Sequence, residues 1–143
     1  METKKENNKM NILFICRHNR FRSRFAELYL KKINKDKSIQ AKSAGIFPGS
    51  WPLDKEEIKI AKKLGVNLKG KPKPVTTNLL KLADIIVLIT NDIKDPENLF
   101  NYEKYKNKVL QWKIKDNEGD SEKVIENILT QIIKKIETTK WKQ

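Results

Sequence analysis

The stretch Asn11–Arg24, N-I-L-F-I-C-R-H-N-R-F-R-S-R, decides the reading of this chain. Asn11–Cys16 is a short apolar run bounded by charge, the pattern of a strand buried on both faces of a parallel sheet. It ends on the only cysteine, Cys16, with the only histidine, His18, two residues on. Arg17, Arg20, Arg22 and Arg24 are the only arginines, and elsewhere the positive charge is lysine. Such a gathering of guanidiniums around one thiol asks for a chemical reason.

Working outward, short apolar runs alternate with amphipathic stretches. Ser23–Ile33 sets Phe25, Ala26, Tyr29, Leu30 and Ile33 at helical spacing, and a weak strand follows over Ile39–Ser43. Beyond a Gly/Pro-rich loop, Gly45–Pro52, Asp54 can cap a helix to Leu64, with Gly65 as its stop. Lys69–Pro74 is a loop, and Thr76 or Thr77 caps a short helix to about Ala83. Asp84–Thr90 (DIIVLIT) is the strongest strand signal, and Val109–Ile114 reads as the last strand. Ser121–Ile136 closes with a long amphipathic helix. Strands alternating with helices imply an α/β fold, a four-stranded parallel sheet, doubly wound, with helices on both faces. Ligands of such sheets bind at the carboxyl ends of the strands, where Cys16 stands.

With 143 residues the chain suits one domain, here residues 11–143, preceded by a disordered polar extension over residues 1–10. The start has no apolar segment of a secretory signal, and no run approaches the ~20 residues of a membrane span. One cysteine forms no internal disulfide, so the expected setting is a reducing cytoplasm. The net charge of +13 invites a nucleic-acid reading. The lysines are spread along the whole chain, however, as on a solvated surface, and nucleic acid is not the expected partner.

Five residues separate Cys16 from Arg22, and Ser23 follows. A strand ending in cysteine that loops into a helix can wrap its N–H groups around one point, a nest for a tetrahedral anion. Arg22 can grip two oxygens of that anion with its planar fork, and the same positive field favours thiolate over thiol. A thiolate beneath a bound phosphate is a nucleophile, and Ser23 can donate to the sulfur as it leaves. A buried core cysteine would leave the arginines without a purpose. A zinc site is disfavoured because Cys16 and His18 lack further Cys or His ligands, and no cofactor or metal is expected.

Cys16-Arg17-His18-Asn19-Arg20-Phe21-Arg22-Ser23 after a first strand resembles the low-molecular-weight protein tyrosine phosphatase family, as does Ser43-Ala44-Gly45 at the end of the second strand. The resemblance spans roughly residues 11 to 135. It implies a phosphomonoesterase working through a cysteinyl-phosphate, with Cys16 as nucleophile, Arg22 as clamp and Ser23 assisting. Residues Arg17, His18, Asn19, Arg20, Phe21 and Arg22 would form the phosphate-binding loop. Asn19, in left-handed conformation, and Ser43 would support it. The family's general acid is an aspartate followed by proline after the last strand. Asp116 has the right place but Asn117 follows it, whereas Asp95-Pro96 has the dipeptide after the third strand. Position in the fold favours Asp116.

This chain departs from the family at His18, where glycine is usual, and at Phe21, where a second cysteine is common. Arg17 and Arg20 replace apolar residues, and Glu118 stands near the place of an aromatic one. The expected partner is a phosphorylated substrate, a phosphotyrosine protein or an acidic phosphate ester drawn by Arg17 and Arg20 at the rim. Arg24 reads as a surface charge, and the protein as a monomer. The alternatives are an arsenate reductase of the same fold using an external thiol, and a non-catalytic phosphate or nucleic-acid binder.

Overall fold

The computed structural model describes residues 9–91 and 102–142. β1 (Met10–Cys16), β2 (Ile39–Gly45), β3 (Ile85–Ile89) and β4 (Val109–Trp112) form one parallel sheet in the order β2-β1-β3-β4. Between them run α1 (Arg22–Ile33), α2 (Lys55–Lys63), α3 (Thr77–Leu82) and α4 (Tyr102–Tyr105), and α5 (Glu122–Thr138) closes the chain. The connections run from β1 to one side and then back across it, so the strand order reverses between β1 and β3. That reversal opens a crevice at the carboxyl ends of the strands.

The central strands β1 and β3 are apolar at nearly every position because both their faces are covered. On one face Ile12, Phe14, Val87, Ile89 and Trp112 pack with Phe25, Ala26 and Leu30 of α1, Ile60 and Ala61 of α2, and Ile125, Ile128, Leu129 and Ile132 of α5. On the other, Leu13, Ile15, Ile86 and Leu88 meet Leu80, Ala83 and Tyr105. Thr76 and Ser121 cap α3 and α5, accepting the N–H groups of Leu79 and Val124 at 3.1 and 3.3 Å.

The elements fall where the sequence places them, and the differences lie at their ends. Residues 1–8 of the expected extension lie outside the described residues, while Met10 opens β1 by pairing with Ile39. β2 continues past Ser43, because Ala44 and Gly45 pair with Ile15 and Cys16. α4 and the 3-10 turn Lys106–Lys108 carry too few residues for periodicity to show them.

Phe14 sits under a cluster of indoles, 6.0 Å from Trp112 and 5.9 Å from Trp141, which themselves lie 6.2 Å apart. Phe14 is fully buried, so its loss leaves a cavity between sheet and C-terminal segment. Phe14→Ala is expected to cost ~3–5 kcal/mol, read as a lower urea midpoint by tryptophan fluorescence.

Candidate active site

At the end of β1 the chain turns sharply through residues 17–21 into α1. The turn needs one residue in left-handed conformation, and Asn19 supplies it with φ 51°, an asparagine tolerating that region better than most. Its carboxamide then fixes the surroundings. Nδ2 donates to Ser23 Oγ at 2.7 Å and to Ser43 Oγ at 2.9 Å, while Oδ1 accepts the Lys73 N–H at 2.9 Å and Arg24 Nη2 at 3.0 Å. Ser43 passes its own hydrogen to the buried Glu27 carboxylate. The loop's outward carbonyls are also occupied. Those of Cys16, Arg17 and His18 accept the N–H groups of Ile46, Phe47 and Gly49 at 3.1, 2.7 and 3.0 Å.

Sγ of Cys16 lies at the centre of this turn, and the residue is buried. The N–H groups of Asn19 and Ser23 point at it from 3.3 and 3.4 Å, and Ser23 Oγ lies 3.0 Å away. That hydroxyl accepts from Asn19 and from the Cys16 thiol, and its own hydrogen reaches the Ala44 carbonyl at 3.5 Å. When the sulfur carries no proton, the same hydroxyl can turn and donate to it. The N-cap of α1 is Phe21, whose side chain caps nothing and lies in the core. An apolar residue at that position leaves the first turn's amides to the sulfur and to an anion.

Arg22, the last residue of the loop, is buried with its Nη1 donating to the Ile114 carbonyl at 2.9 Å. Its Nη2 lies 3.5 Å from Oδ2 of Asp116, whose side chain is 22% exposed. The loop after β4 therefore carries Asp116 to the guanidinium that ends the loop after β1. Among the described residues no group of three or more His, Cys, Asp or Glu side chains gathers as metal ligands would.

The family model for low molecular weight phosphotyrosine protein phosphatase matches residues 11–141. The chain belongs to this phosphatase family. No curated protein matches it in sequence at a significant level. Among solved structures, a YwlE mutant from Bacillus subtilis superposes with a TM-score of 0.76 at 21% identity, covering 90% of this chain and 94% of that one. The tyrosine phosphatase Wzb from Escherichia coli K30, in complex with sulphate, gives 0.75 at 20% identity over 89% and 93%. A low molecular weight protein tyrosine phosphatase from T. tengcongensis gives 0.74 at 24% identity over 90% and 96%. As a member of this family the protein is a phosphatase of the hydrolase class, acting on phosphorylated substrates.

Of the residues singled out in the sequence, Cys16, Asn19, Ser23 and Ser43 are brought together around the loop, and Arg22 meets Asp116. Asp95-Pro96 lies outside the described residues. Two arginines require correction. Arg20 does not offer its guanidinium at the rim: it is buried, forms a bidentate pair with Glu57 at 2.6 and 2.9 Å, and lies 5.3 Å over the Trp51 ring. Arg24 is no surface charge. It is buried against the carbonyls of Lys69, Lys71 and Asn19. Burial lowers its pKa, while Glu27 and Cys16 pull it back up. His18 is half-buried, its Nδ1–H reaching the Phe47 carbonyl at 2.8 Å and its ring meeting Trp51 edge-on at 4.7 Å.

Glu57, Trp51 and Asn117 escaped the sequence reading. Asn117 donates to Glu57 Oε2 at 2.9 Å, and Glu57 Oε1 accepts the Asp54 N–H at 2.8 Å. The spacing Asp54-x-x-Glu57 is a capping-box signature and would have pointed to Glu57.

Gly45 pairs with Cys16 and faces the turn so closely that a Cβ there would stand 2.7 Å from the His18 carbonyl carbon and 2.8 Å from the Asn19 nitrogen. Gly45→Ala must displace the loop. Displacements of ~1 Å in such sites can cost ~10²-fold, and vanadate inhibition of Gly45→Ala is expected to weaken at least ~10-fold with far-UV circular dichroism unchanged.

Proposed function

We propose that this phosphatase hydrolyses phosphate monoesters in two steps through a phosphocysteine at Cys16. The observation that carries the reading is the convergence on one sulfur of two backbone N–H groups and a hydroxyl, with Arg22 and Asp116 in contact beside it. The amides of Arg17 to Arg22 cradle the phosphate, and the Arg22 fork holds its oxygens. The thiolate attacks phosphorus, the ester P–O bond breaks, and Asp116 gives its proton to the leaving oxygen. Asp116 then takes a proton from water as that water attacks the phosphocysteine. Inorganic phosphate leaves, and the thiolate is stabilised by Ser23. Asn19 and Ser43 keep the loop in shape throughout.

The enzyme works as a monomer in the cytoplasm, where a reducing environment keeps its one thiol active. Its substrate is a phosphotyrosine protein or a similar phosphate ester. With Arg20 bound to Glu57, attraction of acidic substrates by a pair of rim guanidiniums loses one of its two members. Two of the similar solved structures bear the words arginine phosphatase in their names, so phosphoarginine peptide is the substrate against which phosphotyrosine peptide is to be compared. Arsenate reduction with added glutathione is the control for the external-thiol chemistry.

Cys16→Ser is expected to abolish turnover of an aryl phosphate while vanadate still binds, since a hydroxyl is a poor nucleophile in an unchanged cradle. Retained activity would sink the covalent mechanism.

Asp116→Asn is expected to slow phenyl phosphate by ~10²–10⁴-fold and to affect dinitrophenyl phosphate much less, because an acidic phenol leaves without a proton. Asp95→Asn is expected to leave both rates near the parent's. Steady-state kinetics on the two esters checks both variants, and the reverse pattern would move the acid to Asp95.

A further inference from the structure

Among the described residues Glu57 is the one carboxylate at the site with no exposure whatever, and the reaction just described gives it no part. Burying a charge is costly unless every lone pair finds a donor. Here each oxygen takes two donors. Oε1 accepts Arg20 Nη1 at 2.6 Å and the Asp54 N–H at 2.8 Å, and Oε2 accepts Arg20 Nη2 and Asn117 Nδ2, both at 2.9 Å. Three separate segments thereby meet on one group: the phosphate-binding loop, the start of α2, and the loop after β4.

Asn117 continues the connection. Its Oδ1 accepts the Asp120 N–H at 2.9 Å, closing the turn, and its own N–H donates to Asp116 Oδ1 at 2.8 Å. The other Asp116 oxygen faces Arg22 at 3.5 Å. The path Arg20–Glu57–Asn117–Asp116–Arg22 leaves the phosphate-binding loop and returns to it. Asp116 is thus held from both sides, by Arg22 in front and by the Glu57–Asn117 pair behind.

We propose that Glu57 is a positioning residue for catalysis: through Asn117 and Arg20 its buried carboxylate fixes the Asp116 loop to the phosphate-binding loop. This rests on the reading of Asp116 as the acid. Rigidity that a proline after the acid would build into the backbone comes here from a side-chain network. Arg20 belongs to that network as the bidentate partner that holds Glu57 in place.

Asn117→Ala tests the link with little risk to folding, since Arg20, Glu57 and Asp54 keep their bonds to one another. Expected is a loss of about 10-fold in kcat on phenyl phosphate, a part of the ~10²–10⁴-fold that an acid supplies. Rates on dinitrophenyl phosphate and inhibition by vanadate are expected to stay near the parent's. Glu57→Gln is expected to give the same contrast between the two esters, with a lower Tm. In an Asp116→Asn background, Asn117→Ala is expected to cause no further loss. A further loss there, or equal losses on both esters, would overturn the proposal. So would unchanged kinetics of Asn117→Ala while Asp116→Asn is slow on phenyl phosphate, which leaves the acid assignment standing. If Asp116→Asn is itself as fast as the parent on phenyl phosphate, the acid assignment fails and this proposal with it.

Discussion

The site depends on the side chain of Asn19. A carboxamide has two donors and an oxygen with two lone pairs, and here all four are used: by Ser23, Ser43, Lys73 and Arg24. These partners come from α1, from β2 and from the segment before α3. One planar group in a left-handed turn therefore sets the distance between the loop and everything around it. The amides that point at Cys16 Sγ owe their direction to that turn. The close approach at Gly45 is its geometric counterpart, because a turn held so near β2 leaves no room for a Cβ.

Arginine in place of lysine acquires a separate reason at each buried position. Arg22 spreads its fork between the Ile114 carbonyl and the Asp116 carboxylate. Arg24 spreads its donors over the carbonyls of Lys69, Lys71 and Asn19, tying the segment 69–73 to the loop. Gly70 is part of that arrangement, with φ 98° and an Arg24 nitrogen where its Cβ would be. Arg20 grips both oxygens of Glu57 and stacks over Trp51. Each task needs several donors in a plane, which an ammonium lacks. The clustering of the arginines is legible in the sequence, whereas the buried partners of Arg20 and Arg24 are not.

The difference has a physical origin. The strands and helices are written in local patterns: Asp84–Thr90 is apolar throughout because β3 is covered on both faces, and α5 shows its buried side every three or four residues. The cysteine and its loop are likewise contiguous, so Cys16, Asn19, Arg22 and Ser23 could be read in order. Asp116 could be placed by topology alone. For Glu57 the spacing to Asp54 reads as a simple helix cap, while Arg20 and Asn117, the partners that tie it to the site, are distant in sequence. Arg20 and Arg24 were misjudged for the same reason: a charged residue looks solvent-exposed until its partner, many residues away, is known.

The meeting of three segments on one buried carboxylate also bears on how such a sequence can change. Arg20 and Glu57 are a single unit of inheritance in physical terms, since either one altered alone leaves a buried charge without its complement. Removing one member of a buried pair costs ~3–5 kcal/mol, a large share of the stability of an ordinary domain. Replacing both charges by apolar residues of similar volume can cost nothing. Relatives with an aliphatic residue at the place of Arg20 are therefore expected to lack an acid at the place of Glu57. The two positions should covary across an alignment, and a path between the two states runs through stabilising changes elsewhere in the chain.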